Sequence, residues 1–155
     1  MDSATDTEIE ALLREVYVGG GFTSHEDAGR FAGAAVRARG QVLVERAKDG
    51  RLAGMIVVVP PRSTERRIAT DEEAELQLLA VRGDQRRAGL GQRLVVAALE
   101  VVVASGAKRC VLWTQPTMHA AQRLYERCHF VREAARDFER GGRRLVYVHA
   151  LARAG

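Results

Sequence analysis

The chain has 155 residues, 46% apolar and 28% charged, which is the length of one domain and the composition of an ordinary globular protein. These values exclude disordered and fibrous classes. The 24 basic and 20 acidic residues leave a net charge of only +4, and all the bases except Lys48 and Lys108 are arginines. The arginine bias has two interpretations, a codon habit of the genome or recognition of an anion by guanidinium groups, and composition does not choose between them.

Cysteine content and apolar runs point to a reducing cytoplasm and no membrane partner. Cys110 and Cys128 form no disulfide framework and are expected to fill core positions. Residues 1–6 are acidic and polar, unlike a secretory signal. The longest apolar stretches, residues 55–59 and 94–104, are far shorter than a membrane span. We therefore expect one cytoplasmic domain over residues 1–155.

The first half of the chain predicts two helices followed by a hairpin. Apolar residues at i, i+3, i+4 and i+7 predict an amphipathic helix over residues 6–18. A second helix is predicted from a cap at Ser24 to about Arg39. The period then changes to that of a strand, and the Asp-Gly pair at 49–50 predicts a turn whose return strand spans residues 51–59.

The second half predicts the order strand, helix, strand, helix, strand, strand. These elements are expected at residues 73–81, 89–105, 109–114, 116–128, 130–138 and 143–151. A helical crossover requires the first two of these strands to be parallel, whereas the hairpins require antiparallel pairing. The expected fold is therefore α+β, with a mixed, mostly antiparallel sheet and helices on both faces.

One segment of the sequence predicts a ligand-binding site. Residues 75–94 read ELQLLAV and then RGDQRRAGLGQRL, so a strand leads into a glycine-containing turn that opens a helix. The unpaired N–H groups at a helix start form an anion site. We expect Gly89 and Gly91 to let a phosphate approach that backbone, and Arg86 and Arg87 to pair with its charge. The turn lacks both the third glycine of a dinucleotide fingerprint and the P-loop pattern.

This turn, the strands around it and the later helix with AAQRLYERCHF together resemble the GNAT family of acetyl-CoA-dependent N-acyltransferases. The resemblance covers roughly residues 73–151 and implies that the central parallel strands splay apart at a bulge to admit CoA. It also implies that the backbone amides of the turn bind the CoA pyrophosphate. By position, these amides belong to Arg86, Arg87, Ala88, Gly89, Leu90, Gly91 and Gln92.

The resemblance further implies how the thioester is held and cleaved. Backbone groups of Leu79, Ala80 and Val81 would bind the pantetheine arm and the acetyl carbonyl. Tyr125 would protonate the departing thiolate, which suits a phenol because it is a neutral donor at pH 7. Met118 stands where an asparagine often bonds the pantetheine, so one polar contact is expected to be missing.

Glu75 is the candidate general base, because it lies six residues before Val81, where several family members carry a catalytic glutamate. Strand alternation predicts that Glu75 shares a face with Leu79 and Val81. Other acids lie nearby, and a histidine is also possible. These alternatives are Asp71, Glu72, Glu73 and His119.

Three further expectations concern the acceptor pocket and the departures from the family pattern. Tyr17 and Phe22 are candidate substrate contacts, because the loop between the first two helices often borders the acceptor pocket. His129 replaces a glycine at a helix end and is expected to need a positive φ. The usual first strand is expected to be short or absent before the first helix.

The predicted function is transfer of an acetyl group from acetyl-CoA to a primary amine by direct attack in a ternary complex. The acceptor is a small molecule or a peptide, and antibiotics, polyamines, amino acids and proteins all stay open. No metal, nucleic acid or membrane is expected, and a homodimer is possible. The alternative is a catalytically weak or inactive acyl-CoA-binding module that acts as a sensor or interaction partner.

Overall fold

The structure is a computed structural model that describes residues 4–23, 26–86 and 88–151, with the side chains of residues 26 and 27 left out. Two residues of the sequence predictions, the helix cap Ser24 and the phosphate ligand Arg87, therefore lie outside the described residues.

The described residues form four α-helices and seven strands. The helices are α1 (Asp6–Leu13), α2 (Gly33–Arg39), α3 (Leu90–Ala104) and α4 (His119–Arg127). The strands are β1 (Gln41–Arg46), β2 (Leu52–Val59), β3 (Glu73–Val81), β4 (Arg109–Thr114), β5 (Val131–Arg132), β6 (Phe138–Glu139) and β7 (Arg143–Ala150). Short 3₁₀ turns lie at Glu26–Phe31, Gly83–Gln85 and Ala134–Arg136.

The strands form one mixed sheet in the order β1-β2-β3-β4-β7-β5, with β6 paired to β7. Among the described strands only β3 and β4 run parallel, which confirms the α+β prediction. One core lies between the sheet and α3 and α4, and a second lies between the sheet and α1 and α2. Helices therefore cover both faces, as predicted.

The parallel pair opens part-way along its length. β3 and β4 are in register only from Glu73 opposite Arg109 to Glu75 opposite Val111. Beyond this point the β2–β3 register shifts, and Leu78 adopts a φ of +55°, which marks a bulge in β3. The strands therefore part at the position that the resemblance implied.

The bulge also reverses the side-chain alternation of β3. Leu76, before the bulge, packs into the core under α3, and so do Leu79 and Val81 after it, whereas Leu78 packs with α1. Since Glu75 points away from the side of Leu76, it lies on the opposite face from Leu79 and Val81. The predicted shared face is therefore wrong, because an extra residue in the strand shifts the period.

Two predicted elements are interrupted. The second helix divides at Ala32, which has an extended ψ of 132°, and α2 starts at Gly33. A Cβ on Gly33 would lie 2.3 Å from the Cα of Asp6, so α2 begins in backbone contact with α1. The predicted strand 130–138 breaks into β5 and β6 around a 3₁₀ turn. At this break the Asp137 side chain accepts hydrogen bonds from Arg132 and from the Val146 N–H, which replace regular strand pairing.

Two local predictions are confirmed. The first helix spans residues 6–18 as expected, although its last five residues, Arg14–Val18, form a π-helical turn closed by the Gly19 N–H on Arg14 O. His129 has a φ of +68° at the end of α4, where the Phe130 N–H donates to Tyr125 O. Thr5 caps α1, so no strand precedes this helix among residues 4 and 5, the described part of that segment.

Candidate active site

A cavity of about 110 Å³ lies where β3 and β4 diverge. Its walls come from the π-helical turn, the β3 bulge, the end of β4, the start of α4 and the β6–β7 hairpin. Tyr17, Leu79, Met118 and Tyr125, four of the predicted site residues, line it together. The topology thus brings the predicted acid, one predicted backbone contact and one predicted substrate contact to a single place.

Tyr125 is positioned as a proton donor. It is 7% exposed on α4, and its ring packs against Phe130 and Tyr147 at centroid distances of 5.9 and 6.2 Å. Its hydroxyl makes no hydrogen bond to any other described residue, and the ring borders the cavity. Burial raises the pKa of Tyr125, so the phenol is neutral and holds its proton at physiological pH.

Thr114, the last residue of β4, was not identified from the sequence. It is 4% exposed, lines the cavity, and its Oγ1 has no hydrogen-bond partner among the described residues. A buried hydroxyl without a partner costs free energy in the folded state. Its position in the opening between two strands marks it as a group that a bound molecule would satisfy.

Tyr17 closes one side of the bulge. Its hydroxyl donates a 2.7 Å hydrogen bond to Leu79 O, and its ring packs 5.6 Å from that of Phe31. Burial raises the pKa of Tyr17, which keeps it a donor. One lone pair of the Leu79 carbonyl is therefore already used, and one is left for a ligand.

The start of α3 has the geometry of an anion site. Gly89 precedes the helix with a left-handed φ of +75°, a conformation that suits glycine, and it gives no side-chain cap. The N–H groups of Leu90, Gly91 and Gln92, in the first turn, have no acceptor within the helix. These amides and the positive end of the helix dipole are therefore available to an anion.

The second glycine of this turn also has a packing role. A Cβ on Gly91 would lie 2.9 Å from Leu124 Cδ2 and 3.7 Å from Val81 Cγ2. Gly91 therefore lets α3 pack closely against α4, in addition to any approach of a phosphate. Arg93 donates to Ala88 O at 2.9 Å and pairs with Glu45 at 3.0 Å, so it braces the turn, whereas Arg86 is exposed.

Glu75, the predicted base, is enclosed. Its side chain is 0% exposed, and its two oxygens accept the backbone N–H groups of Arg67, Ile68 and Ala69 and the amide of Gln77. It is not among the residues that line the cavity. Glu75 therefore holds the loop at residues 67–69 in place through hydrogen bonds. It also orients Gln77, which does line the cavity.

The alternative acids are also engaged elsewhere. Glu73 is 1% exposed and binds Arg136 and Arg109 at 2.9 and 3.0 Å. Burial alone would raise the pKa of Glu73, but hydrogen bonds from these arginines and from the Thr70 N–H lower it to about 2. Asp71 and Glu72 form exposed ion pairs with Arg66 and Lys108.

No aspartate, glutamate or histidine lines the cavity among the described residues. His119 is exposed at the start of α4. Phe22 is likewise outside the cavity wall, although its carbonyl accepts the Gln115 amide at 3.1 Å. Burial raises the pKa of the Cys110 and Cys128 thiols, so both are core residues without an activated thiolate.

The comparisons with known proteins agree with this geometry. Residues 7–130 match the model of the Acetyltransferase (GNAT) family. The protein belongs to this family. The splayed β3 and β4 and the glycine-led start of α3 lie where the sequence resemblance predicted them. A comparison with curated protein sequences found no significant match.

Solved acetyltransferase structures are similar over nearly the whole chain. Ard1 from Thermoplasma volcanium has a TM-score of 0.75 at 17% identity, with 98% of this chain and 97% of that chain covered. An acetyltransferase from Bacillus subtilis, solved in complex with CoA, has a TM-score of 0.68 at 21% identity, with 97% and 96% covered. A GNAT-family acetyltransferase from Staphylococcus aureus has a TM-score of 0.74 at 13% identity, with 98% and 96% covered. These identities show the fold alone.

No helix within the described ranges is both long enough and apolar enough to cross a bilayer.

Proposed function

We propose that the protein transfers an acetyl group from acetyl-CoA to a primary amine by direct attack in a ternary complex. The observation that carries this proposal is the opening between β3 and β4 beyond Glu75, with the neutral Tyr125 side chain on its wall. Family membership supports acyl transfer, and the CoA complex of the Bacillus subtilis structure supports CoA as the carrier.

The residues present fit the donor. The first-turn N–H groups of α3 would hold the pyrophosphate. Gly89 supplies the left-handed backbone conformation that orients these N–H groups. The edge of β3 at Leu79, Ala80 and Val81, which β4 does not pair, would hold the pantetheine arm as an added strand. Acetyl-CoA supplies an acyl group activated as a thioester.

Three effects of the protein would then accelerate the reaction. The cavity holds the amine next to the thioester carbonyl, which replaces a collision between two solutes by an intramolecular attack. Tyr125 gives its proton to the sulfur as negative charge develops there, because burial disfavours ionisation of the phenol before that moment. Backbone N–H groups at the bulge would stabilise charge on the carbonyl oxygen.

The proton of the amine leaves to water in this proposal, since no acidic or histidine side chain of the described chain reaches the cavity. Glu75 acts through position, by holding Gln77 and the loop at residues 67–69. The base role predicted for Glu75 would require its carboxylate to give up these hydrogen bonds.

One observation favours a second candidate, an acyl-CoA-binding module without catalysis. The same lack of a base among the described cavity residues would suit a sensor. Thermal melting with acetyl-CoA and release of free CoA thiol with a panel of amines separate the two. Stabilisation by acetyl-CoA with thiol release supports the enzyme, stabilisation without release for any amine supports the module, and no stabilisation contradicts both.

A further inference from the structure

Four arginines of the described chain are among the residues that line the cavity. Arg30 comes from the 3₁₀ turn before α2, Arg67 from the loop before β3, and Arg140 and Arg144 from the β6–β7 hairpin. We call these four residues the arginine rim. Three separate segments thus bring positive charge to one opening, which composition alone could not show.

The rim arginines are not ion-paired within the described part of the chain. Arg30 has only a 3.3 Å hydrogen bond to Thr23 and a cation–π contact with Phe31. The Arg144 guanidinium packs against the Gly141–Gly142 turn. It lies within 4 Å of the positions that Cβ atoms on these two glycines would occupy. Their donors therefore remain available to a ligand.

Electrostatics within the rim is repulsive. Burial lowers the pKa of Arg144, and the charges of Arg30 and Arg140 lower it further, while Glu139 opposes them. Arg39, which donates to Gln77, shows the same pattern. Burial has the largest effect and lowers the pKa of Arg39, the charge of Arg67 lowers it further, and the charge of Glu65 raises it. Neither glutamate is within 4 Å of a rim guanidinium, so the opening keeps an excess of positive charge.

A second observation points independently to a ligand in the same cavity. Thr114 lines the wall with its buried Oγ1 unpartnered among the described residues. A hydroxyl donates as well as accepts, so it can bind an anionic oxygen or an amine. The wall of the cavity therefore combines an unsatisfied polar atom with guanidinium groups that have no ion-pair partner among the described residues.

We propose that the acceptor is a small amine that carries its own anionic group, a carboxylate or a phosphonate, held by the arginine rim. The inference rests on the proposed function, since it names the substrate class of the same site. Guanidinium groups bind both oxyanions in pairs of hydrogen bonds. Polycationic acceptors are disfavoured, because each added ammonium group would face the unpaired charges of the rim.

The rim is separate from the proposed pyrophosphate site. None of the described residues of the turn at 86–92 lines the cavity, and the rim residues lie on other segments. The anionic group of the acceptor and the pyrophosphate of CoA would therefore be held by different residues.

The first test compares acceptors that differ in charge. Thiol release is measured with aspartate and glutamate, with 2-aminoethylphosphonate, with ethanolamine as a partner that lacks an anionic group and with spermidine as a polycation. We expect kcat/KM for at least one anionic amine to exceed that of ethanolamine and spermidine by about tenfold or more. The carboxylate and phosphonate arms show which oxyanion the rim selects. Faster turnover of spermidine or ethanolamine would overturn the inference while leaving the acetyltransferase proposal intact.

The second test uses Arg144→Gln with Arg143→Gln as its matched control. Arg143 is the neighbouring residue on β7, is exposed, pairs with Asp137 and does not line the cavity. We expect R144Q to raise KM for the anionic amine by about ten- to a hundredfold, with KM for acetyl-CoA unchanged, and R143Q to match the wild type. A rise in the acetyl-CoA KM instead would assign the rim to CoA and overturn the inference.

If no amine is acetylated, a measurement of anion binding alone tests the inference. Succinate and inorganic phosphate are titrated in thermal melting of the wild type, R144Q and R143Q. Stabilisation of the wild type and R143Q, but not of R144Q, would support an anion site even if the acetyltransferase proposal failed. Equal melting of all three proteins with both anions would overturn the anion site.

Discussion

The two ends of β3 differ in how their polar groups are satisfied. At the paired end, Glu73 and Glu75 are fully buried, and each accepts several hydrogen bonds from the protein itself. At the open end, beyond the bulge, β4 no longer pairs with β3, and the side-chain oxygen of Thr114 has no hydrogen-bond partner within the described residues. The comparison teaches that buried charge on this strand is structural, whereas unsatisfied groups mark the place for ligands.

The arginines follow the same division. Near the paired end, Arg109 and Arg136 converge on Glu73. The rim arginines at the open end have no such partners in the described chain. Mutations at the paired end should therefore change stability, and mutations at the open end should change binding and rate.

The largest expected effect on stability is that of Glu73→Gln. Removing this carboxylate leaves Arg136 and Arg109 with no buried partner, so we expect the free energy of unfolding at pH 7 to fall by about 3 kcal/mol. Glu72→Gln is the control, because Glu72 pairs with Lys108 on the surface, and such a pair contributes about 1 kcal/mol or less. Equal losses in urea melts of the two variants would contradict the assignment.

The same carboxylate predicts a pH dependence. The folded-state pKa of Glu73 is about 2, below its ordinary value of 4.5, so its contribution is present above pH 4.5 and is lost as the pH falls towards 2. The unfolding free energy of the wild type should drop in this window more than that of Glu73→Gln. Parallel curves would show that Glu73 is not the titrating group.

A smaller effect is expected for Glu75→Gln. A glutamine would leave at least one of the backbone donors at residues 67–69 without an acceptor, which costs about 2 kcal/mol. Because Glu75 does not line the cavity, the pH profile of kcat/KM should keep the shape of the wild-type profile. Asp71→Asn, in the same loop, is the control. A variant with wild-type stability and a lost acidic limb, the low-pH limb that a general base controls, would restore Glu75 as the base.

The smallest expected effect on stability is that of Thr114→Val. Since Oγ1 has no partner among the described residues, its removal should leave the unfolding free energy unchanged or raise it by up to about 1 kcal/mol. KM for acetyl-CoA or the amine should rise several-fold, while Thr114→Ser, which keeps the hydroxyl, should behave as the wild type. A loss of stability with unchanged KM would mean that the hydroxyl serves the fold.

Local patterns were enough to predict most of the fold. Apolar spacing gave the first helix, the Asp-Gly pair gave the hairpin, and the glycine turn gave the start of α3. Tyr125 was found through the family resemblance and does line the cavity. These features depend on residues close together in the sequence or on a motif of fixed spacing.

The missed features depend on distant segments. The bulge that moved Glu75 to the other face arises from the register of β3 with β2, and no residue type within β3 marks it. Arg30 and Arg144 line the same cavity only because the fold brings the hairpin of β6 and β7 close to the 3₁₀ turn before α2. Alternation and composition carry no signal for such contacts.

The catalytic rate of Tyr125→Phe, compared with that of Tyr147→Phe, tests the central claim most directly. Both changes remove one hydroxyl from packed aromatic rings, but Tyr147 does not line the cavity. If the open end is the site of acetyl transfer, kcat for thiol release should fall by about a hundredfold in Y125F at unchanged melting temperature, and Y147F should retain the wild-type rate. A wild-type rate in Y125F, or an equal loss in both variants, would contradict the account.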